Sequence, residues 1–202
     1  MSPVVAMYVS QAIHGLAYGM LLFLVASGLT LIFGMMGVLN LAHASFFMLS
    51  AYLCFESLQW IDNFWVALLV APILVGILGI IVERFFLRRL ERGDLGHIGQ
   101  ILLTLGVSLM ILGIVKIRWG TEPLVIRMPE SLEGLVNIFG LEYPLYRIFI
   151  IAISTAILLI LTILLFKTRL GKIVRAAVDD ADMVDALGIN VPLGFTSIFG
   201  IG

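Results

Sequence analysis

Residues 15–55 read GLAYGMLLFLVASGLTLIFGMMGVLNLAHASFFMLSAYLCF, and no acidic or basic side chain occurs anywhere before Glu56. At about 1.5 Å of rise per helical residue, an uncharged run this long exceeds one bilayer crossing and suffices for two. The glycine-rich stretch Gly34-Met35-Met36-Gly37 divides it, which predicts a first span over about 10–33 and a second over about 40–58. Three further uncharged apolar runs follow, at about 64–82, 98–115 and 148–166, each near the length a bilayer requires. Pro72 inside the third is tolerable, because neighbouring helices can satisfy the carbonyl it frees.

Composition agrees with this pattern. The chain has 202 residues, 61% hydrophobic and 12% charged, against about 25% charged in an ordinary soluble domain. No soluble core could bury so much apolar surface, so lipid must be the solvent for much of it. A net charge of -1 offers nothing to a nucleic-acid backbone. The single cysteine, Cys54, lies in an apolar run and reads as a small packed side chain. The N-terminal run has no basic residue ahead of it and continues too long for a signal peptide, so it reads as a retained span.

Lysine and arginine set the expected orientation. Arg84, Arg88, Arg89, Arg92, Lys167, Arg169, Lys172 and Arg175 fall on one side, and Lys116, Arg118, Arg127 and Arg147 on the other. Basic residues favour the cytoplasmic side, which puts the first group inside, the N-terminus outside and segment 119–146 outside. Pro123, Pro129 and Pro144 argue against one long helix in that external segment. Gly194–Gly202 opens another apolar run that is too short to cross. The expected fold class is therefore an all-α polytopic membrane protein with five transmembrane helices plus the start of a sixth, in one domain over 1–202.

Three groups of residues are candidates for function. Gly15 and Gly19 form a small-xxx-small pair continued by Ala26, Thr30 and Gly34. With Gly37 they suit close helix packing, since small side chains let backbones approach in lipid. Asn40 is a favoured helix cap residue and would start the second span, with His43 and Ser45 in its first turn. A polar, broken helix at membrane depth either lines a cavity or is covered by protein. Asn40, His43 and Ser45 are accordingly pathway candidates, with a structural cap as the competing reading. His14 is more simply a packed side chain. There is no catalytic constellation, no P-loop and no metal-ligand spacing among the three histidines His14, His43 and His97.

The third group lies in 167–193. Val174, Ala177, Val178, Ala181, Val184 and Leu187 recur at helical steps, with Lys172, Arg175, Asp179 and Asp182 beside them and Gly188 and Pro192 as stops. One amphipathic cytoplasmic helix over 172–188 is expected. Its bases sit near its start and its acids near its end, against the helix dipole, so helix stability does not account for them.

The stretch Gly15-Leu-Ala-Tyr-Gly19 and Gly28 through Asn40-Leu-Ala-His43-Ala-Ser45 to Leu53 resembles the branched-chain amino acid ABC transporter permeases, most of all the first of their two membrane subunits. Gly171-Lys-Ile-Val-Arg175-Ala-Ala177 with Ala186-Leu-Gly188-Ile-Asn190 resembles the loop by which that family docks on its ATPase. The resemblance implies a truncated permease in a bacterial cytoplasmic (inner) membrane that is itself no enzyme and binds no cofactor, with ATP held on partner subunits. The implied partners are a second permease subunit, two cytoplasmic ATPase subunits, an external solute-binding protein and a small-molecule solute. Leucine, isoleucine and valine lead as solutes, with urea or short amides as the alternative. A passive channel or secondary transporter is the remaining reading, weakened because an ion-coupled carrier usually needs an intramembrane carboxylate. ATPase coupling is expected at Arg175, Ala177, Asp179, Ala181, Asp182, Gly188 and Asn190.

Overall fold

A computed structural model describes residues 3–37, 39–91, 96–126, 128–138, 141–189 and 191–202. Arg92, Arg127 and Asn190 lie outside the described residues, as do the side chains of Ala181 and Asp182.

The uncharged N-terminal run forms α1, Pro3–Met36, with nothing in its sequence to stop it earlier. It ends where Gly37 adopts φ 64°, a conformation that side chains resist and glycine accepts. The next helix, α2 (His43–Ile61), does not begin at the same level. The His43 ring Nε2 lies 3.0 Å from the carbonyl of Val25, eleven residues before the end of α1 at Met36. That spacing corresponds to about 16 Å along the helix. The chain therefore re-enters the bundle before α2 starts.

Two residues join α2 to α3, Phe64–Val82. Asp62 takes a left-handed φ of 49°, and the Asn63 carboxamide oxygen accepts from the amides of Trp65 and Val66 at 3.0 and 3.3 Å. This caps α3 and folds it antiparallel on α2. The two helices approach over Cys54, Ala67 and Ala71, all buried. Pro72 does not end α3, which continues through a π-helical turn at Glu83–Leu87 into α4, Arg88–Glu91. Helix α5, Gly96–Trp119, then returns along α2.

The segment expected outside, 119–146, contains a short 3-10 turn at Glu130–Leu132 and a β-hairpin, β1 Leu135–Ile138 and β2 Leu141–Pro144. In it Leu135 faces Pro144 and Val136 faces Tyr143. The Tyr143 hydroxyl donates to the Ser10 carbonyl at 3.0 Å, which pins the hairpin to the start of α1. Helix α6, Leu145–Lys167, leaves β2 directly and packs along α1.

The expected single helix over 172–188 is two helices. Helix α7 spans Arg169–Asp179 and α8 spans Ala181–Ala186. Between them Asp180 is extended (φ -157°, ψ 97°), and its carboxylate accepts from the Met183 amide at 2.9 Å. Periodicity continues across this point, but the aspartate side chain competes with the helix for a backbone donor and wins by capping the next one. Gly188, at φ 78°, turns the chain into α9, Val191–Ile201. Helix α9 starts three residues before the Gly194 from which an apolar run was expected.

Among the described residues four helices are long and apolar enough to cross a membrane: Met7–Gly34, Phe64–Leu90, Gly96–Trp119 and Leu145–Lys167. The expected second span is the one outside this set. Helix α2 starts inside the bundle and carries Glu56 and Gln59 toward its end.

The glycines in the tightest contacts are not the expected ones, although a Cβ on Gly37 would lie 3.7 Å from the His97 ring. A Cβ at Gly15, Gly19 or Gly34 would meet nothing within 4 Å, so that stripe makes no close helix contact inside this chain. Apart from Gly171, whose Cβ would run into the Leu164 and Leu165 carbonyls, the close approaches are made by α9 and the residue after it. A Cβ on Gly76 would lie 3.0 Å from the Gly200 carbonyl oxygen, and one on Gly200 would lie 2.8 Å from Ile80. One on Gly28 would run into the Gly202 carbonyl. Gly76→Leu should therefore push α9 off α3 and lower the unfolding free energy by about 1–3 kcal/mol. Gly19→Leu should change it by less than about 0.5 kcal/mol. Denaturant titration of the two variants in detergent checks this, and equal losses would contradict the assignment.

Candidate functional site

The re-entrant stretch brings buried polar groups together. Asn40 is 4% exposed and Ala42 is fully buried. The Asn40 carboxamide oxygen accepts from the Ala42 amide at 3.0 Å. This is the bond to the amide two residues on that its side chain favours. It forms just before the helix, however, and the cap residue of α2 is Ala42. Asn40 thus closes the turn that leads into the helix. The Leu41 amide is met by the Thr104 hydroxyl at 3.2 Å, and the His43 amide by the Asn40 carbonyl at 3.2 Å. The Nδ2 of Asn40 is buried and has no partner among the described residues.

Beside these groups is a cavity of about 320 Å³ between α1, α2, α3, α6 and α9. Asn40 and His43 line it, the α2 start faces it, and Gly28, Gly76 and Gly200 form part of its wall. Most of the remaining lining is aliphatic or aromatic, including Ile32, Val75 and Phe199. A helix start aimed into a cavity carries partial positive charge, and an unpaired carboxamide N–H₂ adds donors. The arrangement suits a small molecule with an apolar body and an acceptor group.

Ser45, the third pathway candidate, is turned elsewhere. Its hydroxyl is 2.7 Å from that of Ser108 on α5, and it does not line the cavity. Two positions along a helix rotate a side chain by roughly 200°, so His43 and Ser45 cannot share a face.

Polar residues of α5 escaped notice in the sequence. Gln100, Thr104 and Ser108 repeat every four residues on one face, and the first two are almost fully buried. That spacing is the signal that could have found them, because polar groups in an apolar helix face protein. Glu83 is likewise buried, at 2% exposure, and accepts from the Thr196 hydroxyl of α9 at 2.7 Å. Glu56 is at the other end of the bundle, bound to the Arg118 guanidinium at 2.6 Å and to the Trp119 indole N–H at 2.9 Å. His14 has a neighbour after all. The Arg147 guanidinium lies 2.9 Å from its Nε2, and its ring lies 5.3 Å from that of Tyr143.

The coupling candidates are divided. Ala177 is 5% exposed and packs with Val184 and Val191 of its own chain, so the face it was expected to offer a partner is filled by α9. The Arg175 guanidinium donates to the Leu165 carbonyl and lies over the Phe166 ring at 5.1 Å. Asp179 is exposed, as are Val178, Met183 and Leu187. Gly188 serves as the turn into α9.

Comparison with known proteins adds the relationships. Residues 11–202 match the family model described as branched-chain amino acid transport system / permease component. The chain is 26% identical to the high-affinity branched-chain amino acid transport system permease protein BraD of Pseudomonas aeruginosa, over 93% of this chain and 64% of that protein. It is 25% identical to the permease protein LivH of the same description from Salmonella typhimurium and from Escherichia coli, over 96% of this chain and 67% of theirs. The chain thus spans about two thirds of the length of these relatives. No solved structure matches it.

The hydroxyl pair that removes Ser45 from the cavity can be tested directly. Ser45→Ala and Ser108→Ala should each destabilise the fold by about 1 kcal/mol, and the double variant should cost less than their sum. Strict additivity in the denaturant cycle would show that the two hydroxyls do not interact.

Proposed function

The chain belongs to the permease component family of the branched-chain amino acid transport system, and on that premise we propose that it is the membrane-spanning permease subunit of an ATP-driven importer of a branched-chain amino acid. The observation that carries the reading is the cavity at the start of α2, where one unpaired carboxamide and one helix start face a largely aliphatic lining. The substrate carboxylate passes the positive end of α2 and the Asn40 N–H₂, and its side chain runs along the aliphatic wall. An aliphatic wall favours such a side chain over urea, which is polar all round. Among the described residues the cavity lining includes no acidic side chain.

In this reading the protein sits in a bacterial cytoplasmic membrane, beside a second permease subunit, with two ATPase subunits inside and a solute-binding protein outside. The chain itself hydrolyses nothing and needs no cofactor. The basic residues of the α3–α5 connection and of α7 face the cytoplasm, and the hairpin faces outward. The ATPase contact runs along the outer face of α7 and α8, where Met183 and Leu187 are 61% and 73% exposed. These side chains enter the partner's groove and Asp179 lies at its rim.

Reconstitution with the partner subunits tests the scheme. Asn40→Asp keeps an oxygen for the Ala42 amide and loses the donor, so uptake should fall about tenfold with complex yield unchanged. Leu187→Asp leaves the chain's own core intact and should abolish stimulation of ATP hydrolysis by the loaded binding protein. Wild-type uptake in the first variant would remove the pathway assignment, and normal stimulation in the second would remove the contact.

Orientation is open to a simpler measurement. Cys54 is buried, so an impermeant thiol reagent added outside intact cells should react with Ser131→Cys and leave Asp180→Cys unmodified. The opposite labelling would invert the topology.

A further inference from the structure

A second cavity, of about 480 Å³, opens beside the junction of α3, α4 and α5. Its lining is Phe85, Phe86, Leu90 and Leu103, with Arg89 the one charged member. The local backbone explains the grouping. Over Glu83–Leu87 the helix is π-helical, a wider turn that departs from regular α spacing and is common at functional sites. Glu83 and Leu87 point inward, each 2% exposed, while Phe85 and Phe86 both point outward, 53% and 52% exposed. Arg89 and Leu90 follow one turn on and complete the same face.

Charge says what occupies this face. Arg84, Arg88 and Arg89 cluster within six residues at the end of the apolar helix Phe64–Leu90. Among the described residues no ion pair is seen at any of the three, and the Glu83 carboxylate is buried against Thr196. An apolar groove along a membrane-crossing helix, closed at its end by the Arg89 guanidinium with Arg84 and Arg88 nearby in the chain, matches one molecule with an acyl chain and an anionic phosphate. We propose that this cavity is a binding site for an anionic phospholipid, its phosphate on Arg89 and one acyl chain against Phe85, Phe86 and Leu103. The guanidinium fork holds phosphate oxygens in pairs, and basic pockets between membrane helices favour anionic headgroups. The π-helical turn keeps both phenylalanines outward, so the acyl chain lies across two rings. The site needs only the membrane placement of the chain and is independent of the solute carried.

The test uses the full chain in phosphatidylcholine vesicles, with Phe86→Trp as a fluorescent reporter at the cavity. A small mole fraction of dibrominated phosphatidylglycerol should quench this indole with about fivefold higher apparent affinity than dibrominated phosphatidylcholine. Adding Arg89→Gln should bring the ratio to near one, while Lys116→Gln, in the last turn of α5 at the opposite end of the bundle, should leave it unchanged. Phe85→Trp serves as a second reporter if the first variant folds poorly. Equal quenching by the two lipids overturns the proposal, as does an equal response to Arg89→Gln and Lys116→Gln. Protection from both lipids also overturns it, because the groove would then be covered by protein.

Discussion

Backbone donors and acceptors held away from water must find partners, and in a bundle of apolar helices few are offered outside the helices themselves. The stretch Leu39–Ala42 concentrates that demand, because it carries non-helical backbone to a level well below the end of α1. Three hydrogen bonds answer it. Asn40 supplies an oxygen to the Ala42 amide, Thr104 supplies one to the Leu41 amide, and the Asn40 carbonyl takes the His43 amide. Much of the arrangement around α2 follows from this. Helix α5 must present Thr104 at that depth, α1 must present the Val25 carbonyl to His43, and a space remains where the Asn40 N–H₂ has no partner.

The distribution of glycine follows from the same crowding. Helix α9 rises between α1 and α3 toward the level of the re-entrant turn, and little room exists there for side chains. Gly28, Gly76 and Gly200 remove the Cβ atoms that would collide, so backbone lies against backbone or side-chain carbon. Gly15 and Gly19 face open space instead. A small-residue stripe along a membrane helix with nothing packed on it is a surface on which a second helix could seat closely. Sequence spacing could not separate these two kinds of glycine, since both occur in uninterrupted apolar helix.

The long helices were legible because lipid imposes length and excludes charge. The start of the third span at Phe64 matches, fixed by the Asn63 cap, while the apolar helix runs on past Val82 to Leu90. The break after Gly34 was legible too, and so was the polar corner at Asn40. Depth was not. Nothing in the composition of residues 37–42 distinguishes a surface loop from one that turns back into the bundle, because the bonds that permit it come from Thr104 and Val25. The division of α7 from α8 was hidden for a different reason. Apolar periodicity persists through Asp180, and only the competition of its carboxylate for the Met183 amide ends the helix. For the cavity, Asn40 and His43 were within reach of the sequence, while Gly28, Gly76 and Phe199 needed the placement of α9.

Helix α9 also gives the two regions proposed to function, the cavity and the α7–α8 segment, a common element. At its start Val191 packs on Ala177 and Val184, and at its end Phe199 and Gly200 border the cavity that Asn40 lines. Its eleven residues form a rigid rod of about 16 Å. Close packing leaves little slack at either end, and the Glu83–Thr196 bond fastens its middle to the π-helical turn after α3. In the proposed permease α9 is the element through which a displacement of α7 and α8 would reach the cavity. The burial of Ala177 within the chain, which excludes it from a partner's groove, is the feature that ties α7 to this rod.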